Sequence, residues 1–176
     1  MQLSRKDILD TLGPSVNVSE TLELEVLFTT FSEIGGLDSV PVLQRLCLID
    51  NGLQSISNLG RVSSTLRSLT VCDQPLSRID ANGFRLPNLE ELHIHRNHLQ
   101  SMSGLSGCPR LRKLWMFQNQ LESLEGLQAL PELEELWLQS SMIKCLDGIQ
   151  YSVNLLNLSL AGNPISDFGE IRKLKG

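Results

Sequence analysis

Basic charge is in short supply in this chain, with 15 Lys and Arg against 20 Asp and Glu and a net charge of −5. Phosphate binding needs a concentrated basic face, so no nucleic-acid partner is expected. No stretch approaches the roughly 18 apolar residues that read as a bilayer-spanning helix, and no membrane partner is expected either. The opening Met1-Gln-Leu-Ser-Arg-Lys-Asp-Ile-Leu-Asp lacks the unbroken apolar run of a secretory leader. A cytoplasmic location follows as an expectation, and Asn17-Val-Ser19 and Asn157-Leu-Ser159 are read as chance matches to the glycosylation tripeptide. The four cysteines, Cys47, Cys72, Cys108 and Cys145, are scattered along the chain instead of clustered at its ends, the arrangement of free thiols and not of a disulfide framework. Phosphate-cradling loops, glycine-rich nucleophile turns and kinase motifs are missing. No enzyme activity and no cofactor are expected.

What the chain has is a period. Leu43-Gln-Arg-Leu-Cys-Leu-Ile-Asp-Asn51, Leu89-Glu-Glu-Leu-His-Ile-His-Arg-Asn97, Leu111-Arg-Lys-Leu-Trp-Met-Phe-Gln-Asn119 and Leu155-Leu-Asn-Leu-Ser-Leu-Ala-Gly-Asn163 share the form L-x-x-L-x-L-x-x-N. Degenerate copies run from Leu66 to Gln74 and from Leu133 to Ser141, and a weaker unit places Leu24, Val26, Phe31, Ile34 and Leu37 in the matching slots. Alternation such as Leu92-x-Ile94 is strand-like. The apolar residues that follow, as in Leu99, Met102 and Leu105, suit a 3₁₀ or short helical return. Pro41, Pro87, Pro109 and Pro131 sit two residues before a strand is expected to begin, at Leu43, Leu89, Leu111 and Leu133, where proline ends the return and drives the preceding residue toward extended backbone. A repeat of this length means a stacked solenoid.

The pattern resembles the leucine-rich repeat, in the 22-residue variety of the protein phosphatase 1 regulatory subunit class. The resemblance implies an α/β solenoid of about seven units with a parallel sheet on the concave face and 3₁₀ or short helical segments on the convex face. It also implies a protein-binding platform, with cytoskeletal and ciliary or flagellar settings among those of the class. Residues 1–20 are expected to form an N-terminal helical cap, starting at Ser4-Arg-Lys-Asp7 with Ile8, Leu9 and Leu12 on its apolar side. Residues 21–176 are expected to form the solenoid. No complete cap follows Asn163-Pro-Ile-Ser-Asp-Phe168, so the chain is expected to be the first part of a longer protein, monomeric or weakly self-associating through that end. The basic residues Arg172, Lys173 and Lys175 read as a solvated terminus.

Each Asn slot can satisfy the backbone of the turn after its strand. Gln74, Ser141 and Thr29 depart from the consensus there, and looser turns are expected at all three. Inward strand positions belong to the core, so function falls to the outward ones. One outward column reads Glu25, Cys47, Thr70, His93, Trp115, Trp137 and Ser159, and the next Leu27, Ile49, Cys72, His95, Phe117, Gln139 and Ala161. His93, His95, Trp115, Phe117, Trp137 and Gln139 are therefore the candidate partner-binding residues, since contiguous outward aromatics mark binding surfaces. Trp115→Ala is expected to cost little in folding.

Two other readings of these columns compete with it. Neighbouring aromatics can simply pack on one another and stabilise the sheet, making the domain an architectural spacer. Alternatively Cys72, His93 and His95, with His98 in the following turn, are ligand types that zinc accepts. Convergence of ligands on a flat sheet is difficult, and no metal site is expected. A third column alternates in sign at Glu91, Lys113 and Glu135, which cross-strand pairing explains.

Overall fold

The computed structural model describes residues 1–174. Seven short strands, β1 (Glu23–Leu27), β2 (Arg45–Ile49), β3 (Ser68–Cys72), β4 (Glu91–His93), β5 (Lys113–Trp115), β6 (Glu135–Trp137) and β7 (Asn157–Ser159), form one parallel sheet in chain order. Leu24, Leu46, Leu69, Leu92, Leu114, Leu136 and Leu158 pair in that order from strand to strand. The register is that of the sequence period. All of these leucines except Leu158 are buried.

Return segments close each coil on the convex side, mostly as 3₁₀ turns at Leu37–Ser39, Leu59–Arg61, Ser103–Gly107, Leu127–Ala129, Ile149–Tyr151 and Phe168–Leu174. Their inward residues, Leu124, Leu127 and Leu130 for example, complete a continuous core between the two sides. The prolines end these turns as expected from pre-proline sterics. Val40, Cys108 and Leu130, each just before a proline, hold φ near −120° with ψ of 61°, 61° and 67°. The strands themselves begin four residues after Pro41, Pro87, Pro109 and Pro131, later than the sequence pattern suggests. Entry to several return turns needs a left-handed residue, supplied by Gly126 (φ 109°) and by Asn58 (φ 63°), whose amide also donates to the carbonyl of Ile34 at 3.1 Å.

The helix α1 (Arg5–Leu12) covers the first coil, opened by a capping box between Ser4 and Asp7. Leu3 and Ile8 are buried against the solenoid and Leu12 is half-buried. Leu9, expected on the same side, faces solvent because the helix contacts the coil along a narrower stripe than its apolar pattern suggests.

The Asn slots form a hydrogen-bonded ladder. Asn97 Nδ2 points at the carbonyls of Val71, Ile94 and His95, each at 3.0 Å, while its Oδ1 accepts from the Gln74 N–H. Gln74 is a full member of this ladder, contrary to the expectation of a loose turn. Its longer side chain donates to the carbonyls of Leu48 and Cys72, and its Oε1 accepts from the N–H groups of Asn51 and Leu53. Thr29 likewise takes part, with Oγ1 accepting from Asn51 Nδ2. Ser141 alone matches the expectation, since its side chain is too short to span the turn and its buried Oγ meets no partner among the described residues.

Candidate functional site

The outward positions of β4 to β6 and the residues just after them carry the predicted site. Ladder pairing places His93 beside Trp115 and Trp115 beside Trp137. Main-chain bonds from Arg96 to Phe117 and from Gln118 to Gln139 extend the same order past the strands. All six predicted residues are thereby brought together, each half-buried on the concave face.

The rings pack in rows. His93 stacks on Trp115 with centroids 4.1 Å apart and planes within 3°, and His95 stacks on Phe117 at 4.1 Å and 14°. Trp115 meets Trp137 edge to face at 6.2 Å. Such pairs contribute about 0.5–1.5 kcal/mol each beyond their buried area. The expectation that Trp115→Ala costs little in folding therefore needs correction: Trp115 belongs to two of these pairs, and its loss costs about 1–3 kcal/mol. The Nε1 atoms of both tryptophans and Oε1 of Gln139 are shielded and meet no hydrogen-bond partner among the described residues.

Charged pairs frame this patch. Lys113 bonds Glu91 at 3.0 Å, and one position earlier in each repeat Arg67 pairs with Glu90 at 2.6 Å and Arg112 with Glu134. Each is an exposed cross-strand pair worth at most about 1 kcal/mol. The Lys113 ammonium is held above its ordinary range by its hydrogen bond to Glu91.

Burial holds His93 below the usual imidazole range, with Glu91 opposing and Lys113 reinforcing the shift. His95 is lowered by burial and then by His93. Both folded-state values lie below the unfolded one, so the unfolded chain binds more protons in this window and stability falls as pH drops through it. The melting temperature is expected to decline between about pH 7.5 and 5.5, and a His93→Gln, His95→Gln double variant to flatten that slope. A wild-type melting temperature constant across the range contradicts this assignment.

The zinc candidates do not converge. Cys72 Sγ lies 3.2 Å from Nδ1 of His95 and 3.5 Å from the His93 carbonyl, while the His93 ring is committed to its stack on Trp115. His98 is exposed and faces Gln120 at 3.5 Å. Among the described residues no group of three or more His, Cys, Asp or Glu is placed to hold a metal ion. Burial pushes the Cys72 thiol up to about 12. A protonated thiol beside a neutral imidazole is not the thiolate pair of nucleophilic catalysis. The four cysteines are free, with Cys72 and Cys108 buried.

Sequence reasoning missed one part of this face. Leu27 and Ile49 continue the His95 column toward β1, and Phe28, one residue past Leu27, is 74% exposed. A shallow cavity of about 760 Å³ lies between Phe28, Ile49, Cys72, Asp73, His95 and Arg96. The signal was present, because Leu27 and Ile49 are large apolar residues at outward positions.

The family described as Leucine Rich repeats (2 copies) matches residues 87–129 and again 109–151. Three solved structures superpose on most of the chain. A leucine-rich-repeat protein of Leptospira interrogans gives a TM-score of 0.71 at 24% identity over 83% of this chain and 38% of its own. The internalin inlF of Listeria monocytogenes gives 0.65 at 22% over 85% and 44%, and internalin C2 of the same organism gives 0.60 at 23% over 88% and 77%. The fold is a leucine-rich-repeat solenoid. This solenoid spans less than half the length of two of those three proteins. No curated protein sequence matches it. No helix among the described residues is long and apolar enough to cross a membrane.

Proposed function

We propose that this leucine-rich-repeat solenoid is a non-enzymatic recruitment module that binds a protein segment across Trp115, Phe117 and Trp137, with His93, His95 and Gln139 around them. The observation that carries the reading is the contiguous aromatic patch on the open concave face. The flanking charge pairs suit the polar rim of such an interface. A cytoplasmic setting, in a cytoskeletal, ciliary or flagellar assembly, is supported by the resemblance of the 22-residue repeat to the protein phosphatase 1 regulatory subunit class. The stretch from Leu24 to Leu37 also resembles the start of leucine-rich repeat-containing protein 9.

A second reading has an observation of its own. The rings stack on one another at van der Waals distance, as they would in an architectural spacer that needs them for stability alone. Differential capture separates the two. Immobilised wild-type chain and a Trp115→Ala, Trp137→Ala variant are exposed to the same lysate after circular dichroism shows both folded. Truncating buried interface aromatics costs at least about 2 kcal/mol each, so proteins retained by the wild type are expected to fall by tenfold or more. An identical retained set supports the spacer.

A further inference from the structure

The concave side carries more acid than base, and the surplus is local. Its cations Arg45, Arg96 and Lys113 are each taken, by Glu23 at 2.8 Å, Asp73 at 3.0 Å and Glu91 at 3.0 Å. Glu135 flanks Lys113 on the other side. Glu25 and Asp50 are exposed and meet no ion-pair partner among the described residues. Nearer the C-terminal end, by contrast, Asp147 and Glu170 share Lys173 at 2.6 and 2.8 Å. Lys173 is thereby an ion-paired anchor and not part of a solvated terminus, and Lys175 of that basic cluster lies outside the described residues.

The two unmatched carboxylates bracket apolar surface. Leu27 and Ile49 pair across β1 and β2, as do Glu25 and Cys47, so along the strand direction the apolar pair lies after Glu25 and before Asp50. Phe28, Ile49 and Asp50 line the 760 Å³ cavity. Burial lowers His95 and pushes Cys72 up, which keeps both of these lining side chains uncharged near neutral pH. Nothing there offsets the acids.

This cavity is continuous with the aromatic patch, because His95 lines the one and stacks on Phe117 in the other. From β5 to β2 is three strand spacings, about 14 Å, which about ten helical residues span. Strands β2 to β5 each have a hydrogen-bonded strand on either side, so no added main chain finds an open edge among them. Recognition there falls to side chains, and a helix satisfies its own main chain while presenting them.

We infer that the partner segment is a basic amphipathic helix. Its apolar face covers Trp115 and Trp137, and about ten residues further along it seats a large apolar side chain over Leu27 and Ile49, with Lys or Arg reaching Glu25 and Asp50. The inference rests on the concave-face reading above and specifies the chemistry of its partner. Because the unmatched acids lie at the β1–β2 end alone, charge complementarity also fixes the direction of the segment. Its basic end points toward α1.

The test is selection on the immobilised full chain of phage-displayed random peptides of about 16 residues, enough for a helix of roughly 24 Å. Retained peptides are expected to be enriched in Lys and Arg. The tightest of them, labelled for fluorescence anisotropy, is expected to lose affinity about tenfold or more on a Glu25→Lys, Asp50→Lys variant. Both positions are exposed, and the slot of Asp50 holds Arg96 in another unit, so this variant keeps its fold. A Glu122→Lys, Glu125→Lys variant changes the net charge equally at exposed positions of the return side and is expected to bind as the wild type does. Equal losses in the two variants trace the preference to overall charge and overturn the inference. Peptides without basic enrichment that are lost on Trp115→Ala, Trp137→Ala also overturn it, while leaving the concave-face site standing. Basic peptides indifferent to the tryptophan variant overturn both readings, and retention of no peptide overturns the helix assignment.

Discussion

Leu114→Ala is expected to lower the unfolding free energy by about 2–5 kcal/mol. Leu114 is fully buried at the centre of β5, with Leu92 and Leu136 beside it in the ladder, both also without exposure. A cavity there cannot collapse easily, since the coils on either side are held at strand spacing by the main-chain ladder. Because each coil touches only its neighbours, the loss acts on the middle of the array and divides it. Urea titration followed by circular dichroism measures this. Trp115→Ala, one residue away on the outward face, is expected to cost less than Leu114→Ala. Equal losses, or a loss below about 1 kcal/mol for Leu114→Ala, contradict the assignment of faces.

Asn97→Ala is expected to be nearly as damaging although it removes no apolar surface. The amide serves three carbonyls and one N–H, and both ends of it are buried. Leaving a buried polar group unpaired costs about 1–3 kcal/mol, so the total is expected to reach about 3 kcal/mol even if water enters the turn. Asn163 makes comparable bonds at 2.8 and 2.9 Å in a half-buried coil open to solvent. Its replacement by alanine is expected to cost about 1 kcal/mol. If the two variants are equally destabilised in the same titration, burial of the ladder is not what sets its contribution.

The fold was legible because it repeats: each leucine slot is fixed several times over, so one degenerate unit cannot move the register. The strand that begins at Glu23 follows from Leu24 and Val26 for that reason alone. The turn before each Asn slot was not legible. Phe28, Asp50, Asp73, Arg96, Gln118, Ser140 and Gly162 all adopt positive φ, between 51° and 72°, and they share no side-chain type. Only Gly162 fits that conformation without strain, so the column leaves no mark in the sequence, and the neighbouring ladder bonds hold it. Gln74 was misread for a related reason. One extra methylene looks like a departure from asparagine, yet it reaches the same backbone groups from a 23-residue unit.

The candidate site was legible as a set of residues and not as a packing arrangement. Period-two alternation sends His93, Trp115 and Trp137 to one face, and the structure places them there. It cannot specify that His93 lies flat on Trp115 while Trp137 stands edge-on, because ring orientation depends on side-chain rotamers and not on register.

Fluorine spectroscopy tests the concave-face proposal most directly, since the chain has only two tryptophans and both lie in the patch. With 5-fluorotryptophan incorporated, the free chain is expected to give two resonances. Addition of a protein captured by the wild type is expected to shift or broaden both, at the same concentration at which the complex forms by sedimentation. A complex that forms while both resonances keep their positions and widths would contradict binding at Trp115 and Trp137.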